Sequence, residues 1–322
     1  MNQRYLPRTR LNLSRICLGT MTFGGQTPEA ESLAILDAAI GLGINFIDTA
    51  NVYNNGESER ITGKGIRGRR DQVVLATKVR GRMGDDPNSE GLSRRNILSS
   101  LDNSLKRLNT DYVDLYYLHA PDDLTALEET METMSGLVQR GKIRYIGVSN
   151  YAAWQIADIM AICDKRGYVA PVMTQNAYNV LTRGIEPELV PCIQAHPMGL
   201  AVYNPIAGGL LSGKHKLGQP ESNTRFALNA TYADRYWSEE NFAAVASLEE
   251  LARQEGISLL ALALKWCDAQ SAVTSIIMGV SRLAQLEQNA AALTGEPLSA
   301  KTLARCDEIW AGLAGTRFRY NR

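Results

Sequence analysis

Continuous apolar runs that end in a polar residue recur along this chain. Residues 73–76 are all apolar, and the run leads to Lys78. Because both faces of a strand are covered in a parallel sheet, such a run predicts a buried strand. Further runs lead to Asp48, His119 and Ser149, and the steps between these four positions are 30, 41 and 30 residues. This spacing is typical of the βα units of a parallel barrel.

Segments in which apolar residues have helical spacing alternate with the predicted strands. Residues 29–41 show this spacing, and Ser93 can cap a helix that runs to Leu108. Strands are predicted at residues 16–19, 44–48, 73–78, 113–118, 143–148, 172–175, 200–203 and 275–278. Helices are predicted at residues 29–41, 57–63, 93–108, 127–140, 152–164, 186–196 and 279–293. This alternation predicts an α/β fold, a (β/α)8 TIM barrel.

Three segments fall outside the repeating unit. Residues 4–14 predict a small N-terminal hairpin, and residues 298–313 predict an extra C-terminal helix. The segment between the seventh and eighth strands is long for one βα unit and predicts two added helices, at residues 241–254 and 258–268. Because a barrel of this kind takes about 250 residues and tolerates insertions, residues 1–322 are predicted to form one domain.

The composition disfavours several classes of partner and site. The formal net charge is zero, with 34 basic and 34 acidic residues, so neither a nucleic acid nor an acidic membrane surface is favoured as a partner. Three histidines without a Cys/His cluster argue against a metal site. The five cysteines are widely spaced and include no C-x-x-C, which suits a reducing compartment. The N-terminal residues lack an apolar signal core, and residues 259–264 are too short an apolar run to span a bilayer, so a cytoplasmic protein is expected.

Four polar residues, at predicted strand ends or in the loop that follows one, form a coherent chemical set. Barrel enzymes keep their sites at the carboxyl ends of the strands. There Tyr53 could donate a proton to a developing alkoxide, because an ammonium such as Lys78 stabilises a phenolate. Asp48 would keep that ammonium charged, and His119 could orient a carbonyl oxygen. Taken singly, each side chain has a simpler structural interpretation, in packing or at a strand end, but their joint order along neighbouring strands favours a function.

The chain resembles the aldo-keto reductases over almost its whole length. The motifs that carry the resemblance are LGTMTFG (18–24), GINFIDTANVYNNGESE (43–59), ATK (76–78), DYVDLYYLH (111–119), GKIRYIGVSN (141–150) and Gln175. The second half is most similar to the aflatoxin-aldehyde and succinic-semialdehyde reductases. That similarity is carried by YNPIAGGLLSGK (203–214), DRYW (234–237), GVSRLAQLEQN (279–289) and YNR (320–322).

The resemblance implies a barrel that binds NADPH without a Rossmann fold. It makes Tyr53 the proton donor, Lys78 and Asp48 its partners, and His119 the orienting group. The resemblance implies that Ser149, Asn150 and Gln175 hold the nicotinamide carboxamide and that Tyr203 stacks on the ring. The residues that it places along the pyrophosphate are Asn204, Pro205, Ile206, Ala207, Gly208, Leu210, Gly213 and Lys214. Further residues that it implies bind the cofactor are Gly19, Thr20, Met21, Asp48 and Arg225. Those it places at the adenosine end are Gly279, Ser281, Arg282, Gln285 and Asn289.

The adenosine end bears on the choice of cofactor. Arg282 beside Ser281 at a helix start suits a 2′-phosphate, which favours NADPH over NADH. Without the resemblance, Arg282 would be interpreted as an exposed charge at a helix start.

The resemblance also implies a small aldehyde or ketone as substrate, and it favours a homo-oligomer, either a dimer or a larger assembly. In the similar sub-family, residues matching Tyr236, Trp237 and Arg322 face the substrate and favour aldehydes that bear a carboxylate. A charge on the chain end is the alternative interpretation of Arg322.

Two other functions are alternatives. Residues 208–214 read G-x-x-x-x-G-K, nearly a P-loop of a nucleotide triphosphatase, but His215 stands where Ser or Thr would bind Mg²⁺. Potassium-channel β subunits also look like aldo-keto reductases and act mainly as NADP(H)-binding partners, so a regulatory subunit with little turnover is the second alternative.

Overall fold

The computed structural model describes residues 3–220, 222 and 224–314. Its chain begins with the predicted hairpin, in which β1 (Gln3–Tyr5) pairs antiparallel with β2 (Asn12–Ser14). Leu6 and Leu13 are completely buried in the same core as Phe46, at the start of a barrel strand. The hairpin therefore packs against the end of the barrel where the strands begin, which leaves the carboxyl ends for the site.

Eight parallel strands close into the predicted barrel, with each strand beside the next one in the chain and the last beside the first. They are β3 (Ile16–Gly19), β4 (Phe46–Asp48), β5 (Val74–Val79), β6 (Val113–Leu118), β7 (Ile143–Ser149), β8 (Met173–Ala177), β9 (Gly199–Tyr203) and β10 (Val273–Gly279). Every residue of β5 is buried, as its apolar run predicts. The (β/α)8 fold class is confirmed.

Helices follow the strands in the predicted order. They are α1 (Glu29–Gly41), α2 (Glu57–Gly65), α3 (Arg94–Leu108), α4 (Leu127–Gln139), α5 (Ala153–Arg166), α6 (Leu189–Ala195), α7 (Arg225–Leu228), α8 (Ala230–Tyr236), α9 (Glu239–Gln254), α10 (Leu259–Ala269), α11 (Leu283–Ala292) and α12 (Ala300–Leu313). Ser93 caps α3 as predicted, because its side chain accepts a hydrogen bond from the amide of Asn96. Helix α6 starts three residues later than predicted, since Pro187 disfavours a helical conformation at Glu186.

The described residues form two compact units. The first comprises residues up to 176, 185–203 and 272–287, and it contains nearly all of the barrel. The second comprises residues 177–184, 204–271 and those from 288 onward. It includes α7 and α8, which the sequence did not predict. The single-domain assignment stays a prediction. In the described part of the chain, no helix combines the length and apolar character needed to cross a bilayer.

Candidate active site

The buried ammonium of Lys78 joins the residues of the predicted catalytic set. Lys78 has no solvent exposure, and its Nζ donates hydrogen bonds to Asp48 Oδ1 at 2.5 Å, to the carbonyl of Thr49 at 2.7 Å and to Tyr53 Oη at 3.2 Å. An ammonium has three donors, so this set satisfies all of them. The structure thus brings three of the four predicted residues into direct contact around one buried charge.

Electrostatics keep Lys78 charged at that position. Burial alone would lower the pKa of its ammonium, but the charge of Asp48 and the hydroxyl of Tyr53 outweigh burial, and the pKa is raised. A buried cation persists only when a partner compensates for its lost hydration. The cluster therefore supplies a permanent positive charge next to the tyrosine hydroxyl.

Tyr53 is held by an unusual turn that follows β4. It opens a short 3-10 helix in which Asn54 and Asn55 have positive φ values, 47° and 57°. Asparagine tolerates this left-handed conformation better than most residues. The Asn54 side chain donates to the carbonyls of Met21 and Phe23, at 2.9 and 2.7 Å, and so ties the turn to the loop after β3. The sequence indicated the turn, but only the structure shows this anchor.

His119 lies beside Tyr53 as a neutral imidazole. The two rings meet edge to face, with centroids 6.0 Å apart. Burial, then the charges of Lys78 and Arg80, lower the pKa of His119 to about 3. At neutral pH the ring thus has one N–H donor and one acceptor nitrogen. Such a ring can donate a hydrogen bond to a carbonyl oxygen while it stays uncharged.

The residues predicted to contact the nicotinamide form a network on the next three strands. Gln175 donates to Asp48 Oδ2 at 3.0 Å, while Ser149 Oγ donates to the Gln175 carbonyl at 2.9 Å. Asn150 donates to Ser149 Oγ at 3.1 Å and accepts from Tyr203 Oη at 2.8 Å. These amide and hydroxyl groups offer both donors and acceptors, which fits a carboxamide. Their predicted role in cofactor binding stays a prediction.

The predicted contacts at the end of β3 are partly buried. Thr20 is completely buried and donates to the Asp48 carbonyl at 3.2 Å, whereas Met21 is 38% exposed. Gly19 packs so closely that an added Cβ would lie 2.8 Å from Ile277. Of these three residues, Met21 presents the most surface to a ligand.

The start of α11, predicted to hold a 2′-phosphate, already carries a carboxylate. Glu31 Oε1 accepts a hydrogen bond from the Leu283 amide at 2.7 Å, and Gln285 Oε1 accepts from the Ser281 amide at 2.8 Å. Arg282 is exposed beside them. Negative charge is favoured at a helix N-terminus, which explains the position of Glu31. Sequence reasoning missed Glu31, because it belongs to the distant helix α1.

In the second unit, the segment after Asn204 has an irregular backbone. The short 3-10 helix Ala207–Ser212 includes positive φ values at Ala207, Gly208 and Gly209. Tyr232 donates to Asn204 Oδ1 at 3.3 Å, and a Cβ added to Gly208 would lie 2.8 Å from the Tyr232 ring. Residues 214 and 215 are not helical, so the helix that a P-loop requires is missing from this described segment.

The predicted substrate residues of the second unit make internal contacts. Tyr236 is 3% exposed; burial raises the pKa of its hydroxyl, although hydrogen bonds from Thr182 and Asn179 oppose that shift. Trp237 packs against Phe226, with ring centroids 4.9 Å apart, and its Nε1 donates to the carbonyl of Gly218. Their contact with a substrate stays a prediction.

Three more of the predicted residues are Arg225, Asn289 and Arg322. Arg225 stacks over Tyr232, at 5.1 Å from the ring centroid, and Asn289 is 8% exposed. Arg322 lies outside the described residues. Among the described residues, no group of three or more His, Cys, Asp or Glu side chains is placed to hold a metal ion.

Comparison with known proteins identifies the family. Residues 15–311 match the model of the Aldo/keto reductase family. A probable voltage-gated potassium channel subunit beta of Oryza sativa is 36% identical over 305 residues, covering 92% of this chain and 93% of that protein. Aflatoxin B1 aldehyde reductase member 2 of Homo sapiens is 36% identical over 311 residues, covering 91% and 85%. An uncharacterized oxidoreductase of Bacillus subtilis is 36% identical over 326 residues, covering 98% of both chains.

Proposed function

Because the chain belongs to the aldo/keto reductase family of oxidoreductases, we propose that it reduces aldehydes or ketones to alcohols with NADPH. The observation that carries the proposal is the contact of the buried Lys78 ammonium with both Asp48 and Tyr53. An aldehyde reductase among the relatives supports the same chemistry. The nicotinamide would supply the hydride, and the chain's own residues would supply binding, orientation and the proton.

The proposed proton transfer follows from the cluster. As a carbonyl becomes an alkoxide, the Tyr53 hydroxyl gives its proton to that oxygen and is left as a phenolate. Lys78, 3.2 Å from the Tyr53 oxygen, stabilises the negative charge, and Asp48 holds the ammonium in position. The neutral His119 donates a hydrogen bond that orients the carbonyl oxygen. Hydride on carbon and proton on oxygen together give the alcohol.

Substitution of the proton donor tests this mechanism. Tyr53→Phe removes the hydroxyl and keeps the ring that faces His119, so turnover should fall by about 10²–10⁴-fold. The dissociation constant for NADPH, measured by fluorescence titration, should change little. Tyr5→Phe is the matched control, because Tyr5 is 65% exposed in the hairpin. Full activity in Tyr53→Phe would show that another group donates the proton.

Cofactor choice depends on the start of α11. Arg282 is expected to favour the 2′-phosphate, so NADPH should bind at least tenfold more tightly than NADH, a difference of about 1.4 kcal/mol. Glu31 opposes this preference, because its carboxylate accepts from Leu283 at the same helix start. Arg282→Ala should weaken NADPH more than NADH, whereas Glu31→Gln should strengthen NADPH relative to NADH. Equal affinities of the wild-type protein for both cofactors would remove the phosphate role.

An NADP(H)-binding regulatory subunit with little turnover is the second candidate. The relative named as a potassium channel subunit supports it. The complete set of Asp48, Tyr53, Lys78 and His119 supports the enzyme instead. Steady oxidation of NADPH by 4-nitrobenzaldehyde over many turnovers would favour the enzyme, and tight NADPH binding without turnover would favour the subunit.

The proposed substrates include carboxylated aldehydes such as succinic semialdehyde and 2-carboxybenzaldehyde. The sequence prediction assigns their carboxylate to Arg322. Arg322→Ala should then raise KM for these acids by about tenfold or more, the effect of a lost charged hydrogen bond. KM for 4-nitrobenzaldehyde should stay nearly unchanged, and an equal response of both substrates would exclude this role of Arg322.

A further inference from the structure

An arginine at the end of β5 has a strained backbone. Arg80 lies two residues beyond Lys78, and its φ of 150° falls in the region that favours glycine. Its carbonyl accepts a hydrogen bond from the Gly91 amide at 2.8 Å, which closes the loop between them. A conformation of this kind persists only where the surrounding structure holds it, and such positions cluster at ligand-binding sites.

The guanidinium of Arg80 is anchored at one edge only. Its Nε donates to the carbonyl of Pro121 at 3.1 Å. Within the described ranges, neither of its two terminal nitrogens has a hydrogen-bond or ion-pair partner. The neighbouring Asp122 carboxylate interacts electrostatically with Arg80, but it accepts its hydrogen bonds from other groups, including the Leu92 amide and the Thr125 hydroxyl, each at 2.7 Å. The partly buried Arg80 side chain is therefore held through Nε, and its two terminal nitrogens can still donate to a ligand.

Arg80 lies next to the proposed reaction centre. The His119 amide donates to the carbonyl of Val79 at 2.9 Å, so the backbone of His119 adjoins the residue before Arg80. The positive charge of Arg80 also reaches the His119 ring, where it contributes, after burial and Lys78, to the lowered pKa. A carboxylate bound by Arg80 would thus lie close to the imidazole that orients the carbonyl.

We infer that Arg80 recognises the carboxylate of an acidic aldehyde substrate and thereby sets the substrate class of this site. The inference rests on the proposed function and deepens it. A guanidinium can donate two parallel charge-assisted hydrogen bonds to a carboxylate, which fixes orientation as well as charge. A bound carboxylate would also give the two terminal nitrogens of Arg80 a hydrogen-bond partner. Arg80 is accordingly a second candidate for the role that the sequence assigned to Arg322.

The test compares acidic and neutral aldehydes of similar size. Arg80→Met removes the charge, and Arg80→Lys keeps the charge but loses the fork. For 2-carboxybenzaldehyde, Arg80→Met should raise KM by roughly tenfold to hundredfold, the loss of a charged hydrogen bond, and Arg80→Lys should fall between it and the wild-type protein. The rise in KM should be several-fold smaller for 4-nitrobenzaldehyde, because this substrate has no carboxylate for the guanidinium to bind. Arg82→Met is the matched control, because Arg82 is exposed in the same loop.

A second measurement remains informative if Arg80→Met folds poorly. Benzoate should competitively inhibit the reduction of 4-nitrobenzaldehyde by the wild-type protein. It should inhibit the same reaction of Arg80→Lys more weakly. Equal effects on acidic and neutral substrates, or a loss of acid preference in Arg322→Ala alone, would overturn the role of Arg80. Absence of turnover with every aldehyde in the wild-type protein would instead refute the proposed function, so the two failures are distinguishable.

Discussion

Replacement of Lys78 by methionine is expected to destabilise the fold as well as the reaction. The Lys78 side chain is fully buried and that of Asp48 is 3% exposed. Methionine fills similar space but donates no hydrogen bond. Asp48 would keep its bond from Gln175 and lose its counter-charge. The variant would thus contain a buried carboxylate without a compensating cation.

The expected loss in the free energy of unfolding follows from the removal of one partner of a buried ion pair. Such a removal costs about 3–5 kcal/mol, a large part of the 5–15 kcal/mol that typically separates folded and unfolded states. The double variant Asp48→Asn/Lys78→Met leaves no unpaired charge at this position, so it should recover part of this loss of stability. It should still be less stable than the wild-type protein by about 1–3 kcal/mol, because the Thr49 carbonyl has lost its hydrogen-bond donor.

Urea unfolding followed by circular dichroism at two pH values measures this prediction. At neutral pH, where Lys78 of the wild-type protein is charged, Lys78→Met should be the less stable of the two proteins, because the buried Asp48 carboxylate has lost its counter-charge. In the wild-type protein the pKa of Lys78 is raised, so its contribution is present below about 10.4 and is lost as pH rises through the folded-state pKa.

Two results would refute the reasoning. One is a loss of less than about 1 kcal/mol in Lys78→Met, which is too small for a buried unpaired charge. The other is a double variant that is no more stable than the single one. Either would mean that water or a structural adjustment compensates for Asp48.

Three further predictions concern packing, protonation and helix capping. Gly63→Ala should cost about 1–3 kcal/mol, because its Cβ would lie 2.5 Å from the Leu108 carbonyl oxygen; Gly136→Ala, with no atom within 4 Å, should gain up to about 1 kcal/mol. Thermal unfolding of Gly63→Ala and Gly136→Ala tests the predicted loss and the predicted gain of stability. Because the pKa of His119 is about 3 in the folded protein and about 6.5 when unfolded, its contribution to stability should decrease by about 1.4 kcal/mol per pH unit below 6.5. His119→Gln should weaken that dependence in urea titrations between pH 6.5 and 5. Ser93→Ala should cost about 1 kcal/mol in the same assay, through loss of the cap of α3; no loss would mean that the cap is unimportant.

Much of the fold could be predicted from local patterns of apolar residues in the sequence. The apolar run before Lys78 is a fully buried strand, and the spacing within residues 29–41 corresponds to the full extent of α1. A period of 2 or 3.6 residues depends only on near neighbours, so the sequence carries it directly. Repetition of the unit then implies the barrel, and the barrel implies that Asp48, Lys78 and His119 meet at one face. Local rules were weaker at α6, where Pro187 shortened the predicted helix.

Only the tertiary structure decided which side chains touch. Gln175 donates to Asp48 across 127 positions of the chain, and Glu31 caps α11 across 252. The hydrogen bond from Arg80 Nε to the Pro121 carbonyl likewise joins residues that are 41 positions apart in the chain. Contacts of this kind are set by strand register, loop conformation and rotamers, none of which has a period in the sequence. The sequence by itself therefore determined which residues reach the carboxyl ends of the strands, and the closed barrel determined their partners, charge state and orientation.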